Sequence, residues 1–306
     1  MVRQPEVAVV VDSSNCLPPD LLTKWRIASV PHQLIIGQRT YLDGVDIQPG
    51  RFYRLLEEEH QSAFTTAAPQ PQHFLDAFLE AGRRAPNVLC LTLSANFSAT
   101  YRSACAALEL AGGKLSGVRV EVVDSQTAAG GLGLIALAAA RWSSMGHSFE
   151  EVIAGVHLLA PKVNLFAFLD TLRYLSRGGR ARKLGAWAGT LLGIKPLTEL
   201  RMGEARMVGR PRNRAKATAG LLELMRERVA REPVVVPVVV NVVEAGAPDD
   251  AAALARRIEA EFSCRELFVS QFTPVMGLHT GPGLLGVAFY VDGAMGSHPI
   301  KLEREA

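Results

Sequence analysis

Three short segments concentrate hydroxyl and carboxyl side chains: Asp12-Ser13-Ser14, Ser94-Ala95-Asn96-Phe97-Ser98-Ala99-Thr100 and Asp124-Ser125-Gln126-Thr127. A fourth, Thr65-Thr66-Ala67-Ala68-Pro69, falls between two helix-like stretches. Ser, Thr and Asp satisfy the free amides at the start of a helix, and that role accounts for Ser13, Ser14, Ser125 and Thr127 taken singly. The Ser94 segment holds more, with three hydroxyls in seven residues where a strand gives way to a helix. Hydroxyl donors, first-turn amides and the positive end of a helix dipole together suit a carboxylate or a phosphate. One imidazole joins them. His279 sits in Pro274-Val275-Met276-Gly277-Leu278-His279-Thr280-Gly281-Pro282-Gly283, where glycines and prolines predict a rigid loop that presents the ring.

Other chemistries find less support. The sequence has no Gly-x-x-x-x-Gly-Lys, and Gly130-Gly131-Leu132-Gly133 departs from the dinucleotide fingerprint in spacing and context. Cys16, Cys90, Cys105 and Cys264 lie far apart and read as reduced, mostly buried thiols. The histidines form no His-x-x-x-His or His-x-His pair, so neither a metal nor a cofactor is expected. Ser94 is outside any Gly-x-Ser-x-Gly elbow. A triad is recognised by geometry, which leaves open a lipid-ester hydrolase or acyltransferase with Ser94 or Ser98 as nucleophile and His279 as base.

The elements that must position these residues follow from the apolar pattern. Val7–Val11, Val88–Leu93 and Val118–Val123 are strand-like runs rich in β-branched residues or leucine, each ending at one of the hydroxyl segments. Helical periodicity follows the second run to about Leu110 and the third to about Ser143. Strand, loop and helix in repetition predict a parallel sheet covered on both faces. In such sheets ligands bind beyond the carboxyl ends of the strands, where the hydroxyl segments lie. Beyond Pro161 the pattern changes. Leu165–Leu169 reads as a strand, Ile194–Leu200 and Ala205–Val208 as a hairpin turning at Gly203, and Asn213–Val229 as a helix. Val234–Val243, Glu266–Phe272 and Val287–Val291 read as strands, with the helix Asp249–Phe262 among them. The expectation is an α/β chain of two domains. Residues 1–163 would hold a mainly parallel sheet flanked by helices and residues 164–306 a mixed sheet.

Composition narrows the class. Of 306 residues, 48% are apolar and 21% charged, enough apolar material for a substantial core. No apolar run is long enough to span a bilayer, and the first strand starts too early for a signal peptide, which predicts a soluble cytoplasmic protein. The net charge is only +3, yet Arg173 to Lys216 holds twelve Lys/Arg against Glu199 and Glu204. Tyr174 and Trp187 are the aromatic residues of that stretch, few for stacking on nucleic acid. Uniform sign without aromatics fits docking to an acidic protein partner.

Read in order, these segments resemble the DegV family of bacterial fatty-acid-binding proteins over nearly the whole chain. The resemblance rests on Val10-Val11-Asp12-Ser13-Ser14-Asn15-Cys16-Leu17-Pro18, Tyr41-Leu42-Asp43-Gly44-Val45-Asp46-Ile47, Thr66-Ala67-Ala68-Pro69-Gln70-Pro71 and Ser94 to Ala104. Leu172 to Arg180, Lys195-Pro196 and His279-Thr280-Gly281-Pro282-Gly283 complete it. It implies two α/β domains with a long-chain fatty acid between them, and a binding protein in place of an enzyme. A separate ATP-dependent fatty acid kinase would phosphorylate the presented carboxylate. Carried over by position, Thr66, Ser94 and the Ala95 site would hold the carboxylate with His279 beside it. Arg173 and Arg212 would lie on the kinase-docking face. Ala67, Ala68 and Ala95 depart from the family's Thr-Ser-Gln-Pro and Ser-Ser patterns, removing hydroxyls from the expected head-group network.

Overall fold

The computed structural model describes residues 5–58, 64–177, 193–232 and 236–292. Gly178-Gly179-Arg180 and Trp187 of the basic stretch lie outside these residues. Among the described residues the strands form three sheets.

The first sheet contains β1 (Val7–Asp12), β2 (Ala28–Val30), β6 (Asn87–Thr92) and β7 (Arg119–Asp124), all parallel in the order β2-β1-β6-β7. Every residue of β1 and β6 is buried, which is why these strands read as unbroken apolar runs. Helices α3 (Pro71–Gly82) and α4 (Thr100–Ala111) cover one face through Phe74, Phe78, Ala104 and Ala107.

A small antiparallel sheet, β3 (Gln33–Ile36), β4 (Arg39–Leu42) and β5 (Phe64–Ala67), has the order β4-β3-β5. The sequence reading missed it. Thr65–Ala67 belongs to a strand, although its segment was expected to be a connection between helices. The strands are four residues long and partly exposed, too short and too mixed to show a period.

The six strands of the third sheet follow residue 163: β8 (Asn164–Phe168), β9 (Leu197–Arg201), β10 (Glu204–Gly209), β11 (Val238–Glu244), β12 (Cys264–Gln271) and β13 (Leu285–Val291). Their order is β10-β9-β8-β13-β11-β12, antiparallel except between β11 and β12. Met202 and Gly203 form the β9–β10 turn with φ of 51° and 73°, the left-handed pair a two-residue hairpin requires. Helices α8 (Arg214–Val229) and α9 (Pro248–Glu261) cover one face of this sheet.

Between the parallel and mixed sheets runs α5 (Ala129–Ser144), buried along almost its whole length. Its glycines explain the close fit. A Cβ on Gly130 would stand 2.9 Å from Val243 Cγ1, and one on Gly133 would stand 2.5 Å from the Asn15 carbonyl. The Gly130–Gly133 cluster therefore serves close packing. The remaining helices are α1 (Pro19–Lys24), α2 (Pro49–Glu58), α6 (Phe149–Leu159), α7 (Arg173–Arg177) and α10 (Pro274–Thr280). The last corrects the loop expected around His279. Pro274 fits the first helical turn, where its missing N–H costs nothing, and Gly281 at φ 79° ends the helix. None of the described helices is long and apolar enough to cross a membrane.

Candidate ligand cavity

A cavity of about 170 Å³ lies beyond the carboxyl ends of β1 and β6, bounded by β5, α10, the start of α5 and strands β8 to β10. Period-2 alternation makes one wall. Leu165 and Ala167 of β8 face the cavity, while Phe166 and Phe168 pack against α8 on the other side. Leu93, Phe97, Leu200, Phe272 and Leu284 extend an apolar surface, and Ala128, Ala129 and Ala205 keep it open. The polar side chains lining it include Ser14, His32, Thr66, Ser98, His279 and Thr280.

Thr66 and His279 meet here. The Thr66 hydroxyl lies 2.9 Å from His279 Nε2, across 213 residues of sequence. β5 delivers one and α10 the other, so two of the elements misread from sequence build this pair. An anionic oxygen placed beside them can accept from the threonine O–H and from a protonated Nε2.

Ser94 and Ala95 go elsewhere. Ser94 is 1% exposed and does not line the cavity. Its hydroxyl accepts from the Asn96 amide at 3.3 Å, and a Cβ on Gly203 would stand 2.9 Å from it. Asn96 Nδ2 donates to the Gly203 carbonyl at 3.1 Å, and the Gly203 amide donates to Gln126 O at 2.6 Å. This part of the loop thus seats the β9–β10 turn on the strand ends of the parallel sheet. Ala95 is exposed, and its amide donates to Asp124 Oδ2 at 3.2 Å. Ser98, four residues after Ser94, is the loop serine that lines the cavity.

Behind the cavity runs a buried polar chain. Ser98 Oγ lies 2.7 Å from Thr100 Oγ1, which lies 3.0 Å from His32 Nε2. His32 Nδ1 lies 3.2 Å from Ser13 Oγ, and Ser13 donates to Asp43 Oδ2 at 2.6 Å. The Val275 amide, in the first turn of α10, donates to Asp43 Oδ1 at 3.3 Å. Burial pushes the Asp43 carboxyl up to about 7, against the opposing pull of its Ser13 and Val275 donors. Asp12, fully buried nearby, accepts from the Ser14 amide, the Ser14 hydroxyl and the Leu93 amide. Sequence reasoning did not single out His32 or Asp43 as site residues. The signal for them was faint, a lone histidine after a short strand and one carboxylate in a turn.

Arg173 and Arg212 are both exposed, one on α7 and one just before α8. α7 packs on α10, with the Tyr174 ring against Gly281, where an added Cβ would stand 2.1 Å from the ring. Part of the basic stretch is matched by carboxylates, and its Glu199 is taken by Arg228 from beyond it. Lys195 Nζ reaches Asp170 Oδ1 at 2.6 Å, and Arg214 bridges Asp170, Asp250 and the Gly283 carbonyl. Arg206 pairs with Glu204, and Arg228 with Glu199. Cys16 and Cys90 are buried, Cys105 and Cys264 half-buried, and all four are free thiols. Among the described residues no group of three or more His, Cys, Asp or Glu side chains could hold a metal ion.

Known proteins share this architecture. A DegV domain-containing protein of Streptomyces coelicolor is 34% identical over 283 residues, covering 92% of this chain and 97% of that protein. A DegV family protein of Thermus thermophilus, described for its fatty acid binding, superposes with a TM-score of 0.84 at 30% identity, covering 94% of this chain and 99% of that one. The Bacillus subtilis DegV, described as a fatty acid binding protein, superposes with a TM-score of 0.84 at 27% identity, covering 94% and 99%. The DegV family model, which describes an uncharacterised protein family, matches residues 6–292, and the chain belongs to that family.

Proposed function

We propose that this protein binds a long-chain fatty acid in the cavity and presents its carboxylate to a separate ATP-dependent fatty acid kinase, which makes the acyl phosphate. The observation that carries the reading is an apolar cavity with Thr66 and His279 facing each other in its lining. Fatty acid binding by the Thermus and Bacillus relatives supports it. Burying a chain of ~16 carbons at ~0.8 kcal/mol per methylene offers roughly 10 kcal/mol before ordering costs. The head group then needs only partners that keep it from being buried unpaired.

In this reading Thr66 and His279 hold the carboxylate, joined by Ser98. Ser94 and the Ala95 amide act one step back, fixing the loop and the hairpin turn that close the cavity. Arg173 and Arg212 meet the kinase. For a hydrolase with Ser94 or Ser98 as nucleophile and His279 as base, the hydroxyl found 2.9 Å from His279 Nε2 is that of Thr66, while Ser94 accepts from the Asn96 amide and Ser98 hydrogen-bonds Thr100. With His279 engaged by a threonine, the arrangement supports holding a carboxyl group over ester attack by Ser94 or Ser98.

The test is mass spectrometry of an organic extract of protein purified from a bacterial host. Fatty acids of about 14 to 18 carbons are expected in near-stoichiometric amount. No extracted lipid, together with no binding of added palmitate or oleate, would overturn the reading. For the kinase step, His279→Ala is expected to retain much of the binding and to impair phosphorylation of the bound acid.

A further inference from the structure

The hydrogen-bond chain behind the cavity has a direction, and that direction depends on one proton. Each hydroxyl donates a single proton, an ionised carboxylate can only accept, and a neutral imidazole donates from one nitrogen and accepts at the other. With Asp43 ionised, Ser13 must donate to it, at 2.6 Å. The Ser13 oxygen then accepts from His32 Nδ1–H, which leaves His32 Nε2 to accept from Thr100. Thr100 in turn accepts from Ser98. In this state Ser98 offers the cavity a lone pair, which repels a carboxylate.

One added proton reverses the chain. Placed on His32, it makes Nε2 a donor to Thr100, Thr100 a donor to Ser98, and Ser98 a donor into the cavity. Placed on Asp43, it lets Asp43 donate to Ser13 and Ser13 to His32 Nδ1, and the outer half runs the same way. We propose that binding of a carboxylate in the cavity is coupled to uptake of one proton from solvent by the chain Ser98–Thr100–His32–Ser13–Asp43. The inference rests on the fatty acid reading above and adds to it a proton site at His32 or Asp43, linked to the cavity through Ser98 and Thr100. No covalent bond between heavy atoms changes. The proton's positive charge offsets the negative charge that the ligand brings into an apolar site with Asp12 and Asp43 behind it and Glu199 in its lining.

The surroundings favour such a site. His32, Ser13, Thr100 and Asp43 are each at most 6% exposed. Asp43 faces Asp12 at the end of β1, the Cys16 thiol, Tyr53 of α2, His32 through Ser13, and Thr273 and the Val275 amide at the start of α10. His32 Nδ1 itself lies 3.8 Å from Asp12 Oδ1, and the His32 amide donates to Ser13 Oγ at 3.1 Å. Burial pushes the Cys16 thiol up to about 12 and the Tyr53 phenol well above its ordinary value, so both stay neutral where Asp43 titrates. With Asp43 titrating at about 7, the chain is mostly ionised at pH 8 and mostly protonated at pH 6.

The experiment is isothermal titration of the full chain, stripped of lipid, with dodecanoate in buffers of different ionisation enthalpy. At pH 8 the observed heats should give about one proton taken up per ligand, falling toward zero at pH 6. By linkage the affinity should drop about tenfold per pH unit above 7. Asp43→Asn, which donates without titrating, and Thr100→Val, which cuts the chain in the middle, should each bind with little buffer dependence. Both leave His279 intact, so uptake at that imidazole would survive them. Wild-type heats independent of buffer, or full uptake retained in both variants, would overturn the coupling and leave fatty acid binding standing. Failure of wild type to bind dodecanoate and longer acids would remove both.

Discussion

Small residues lie between the two large sheets in two places, with opposite results. Along α5, Gly130 and Gly133 bring the helix so close to β11 and to the loop after β1 that a single added carbon would meet Val243 and the Asn15 carbonyl. Around the cavity, Ala128, Ala129, Ala167 and Ala205 stand where larger side chains would fill the space, and nothing approaches to replace them. The first arrangement maximises dispersion contacts across the interface. The second gives them up, which costs stability in the empty protein and is recovered when an apolar guest enters. A glycine or alanine in sequence therefore does not announce a void or a close approach. The opposing backbone decides.

The contrast can be broken by adding carbon to each side. Ala205→Phe, on the edge strand β10 where an aromatic residue is well tolerated, should leave the fold intact and reduce palmitate affinity about 100-fold or more, close to 3 kcal/mol. Binding titration together with a melting curve checks it. Unchanged affinity would mean that the acyl chain does not run past β10. Gly133→Ala should do the reverse. Helix propensity favours it by about 1 kcal/mol. The 2.5 Å approach to a backbone carbonyl outweighs that gain, giving a net loss of about 2 kcal/mol seen in denaturant unfolding, with affinity per folded molecule little changed.

This difference bears on what could be read from the chain. β1, β6 and β11 were legible because buried strands of α/β sheets are nearly continuous apolar runs, β7 because its valines alternate with Arg119 and Glu121 on an edge strand, and the β9–β10 hairpin because Gly203 marks its turn. The β3–β5 sheet was not legible. Its strands owe their form to pairing with one another, and no local pattern carries that information. α10 was read as a loop because its glycines and prolines were counted without regard to place, although proline at the start and glycine at the end are helix punctuation. At the site, Thr66 and His279 were paired by their places in the motifs that resemble the DegV family, and the structure puts them in contact. Ser94 and Ser98 could not be told apart, because one loop carries both and its path alone decides which hydroxyl faces the cavity.

Two hydroxyl substitutions sharpen the same point at finer grain. Thr66→Val keeps shape and removes a donor that a carboxylate would use, so affinity for palmitate should fall about tenfold with little change in melting temperature. Ser94→Ala should move the other quantity. Its hydroxyl accepts from the Asn96 amide within the loop that carries the Gly203 turn, and the substitution removes that part-buried hydrogen bond. About 1 kcal/mol of stability should go, while affinity should change less than about twofold. Titration of both variants with palmitate, beside their melting curves, separates the cases. Equal losses of affinity would mean that the loop swings when the ligand enters, bringing Ser94 to the carboxylate and releasing the hairpin turn it holds in the empty protein. Unequal losses would fix the division of labour as the cavity draws it, with Ser94 holding the wall and Thr66 holding the guest.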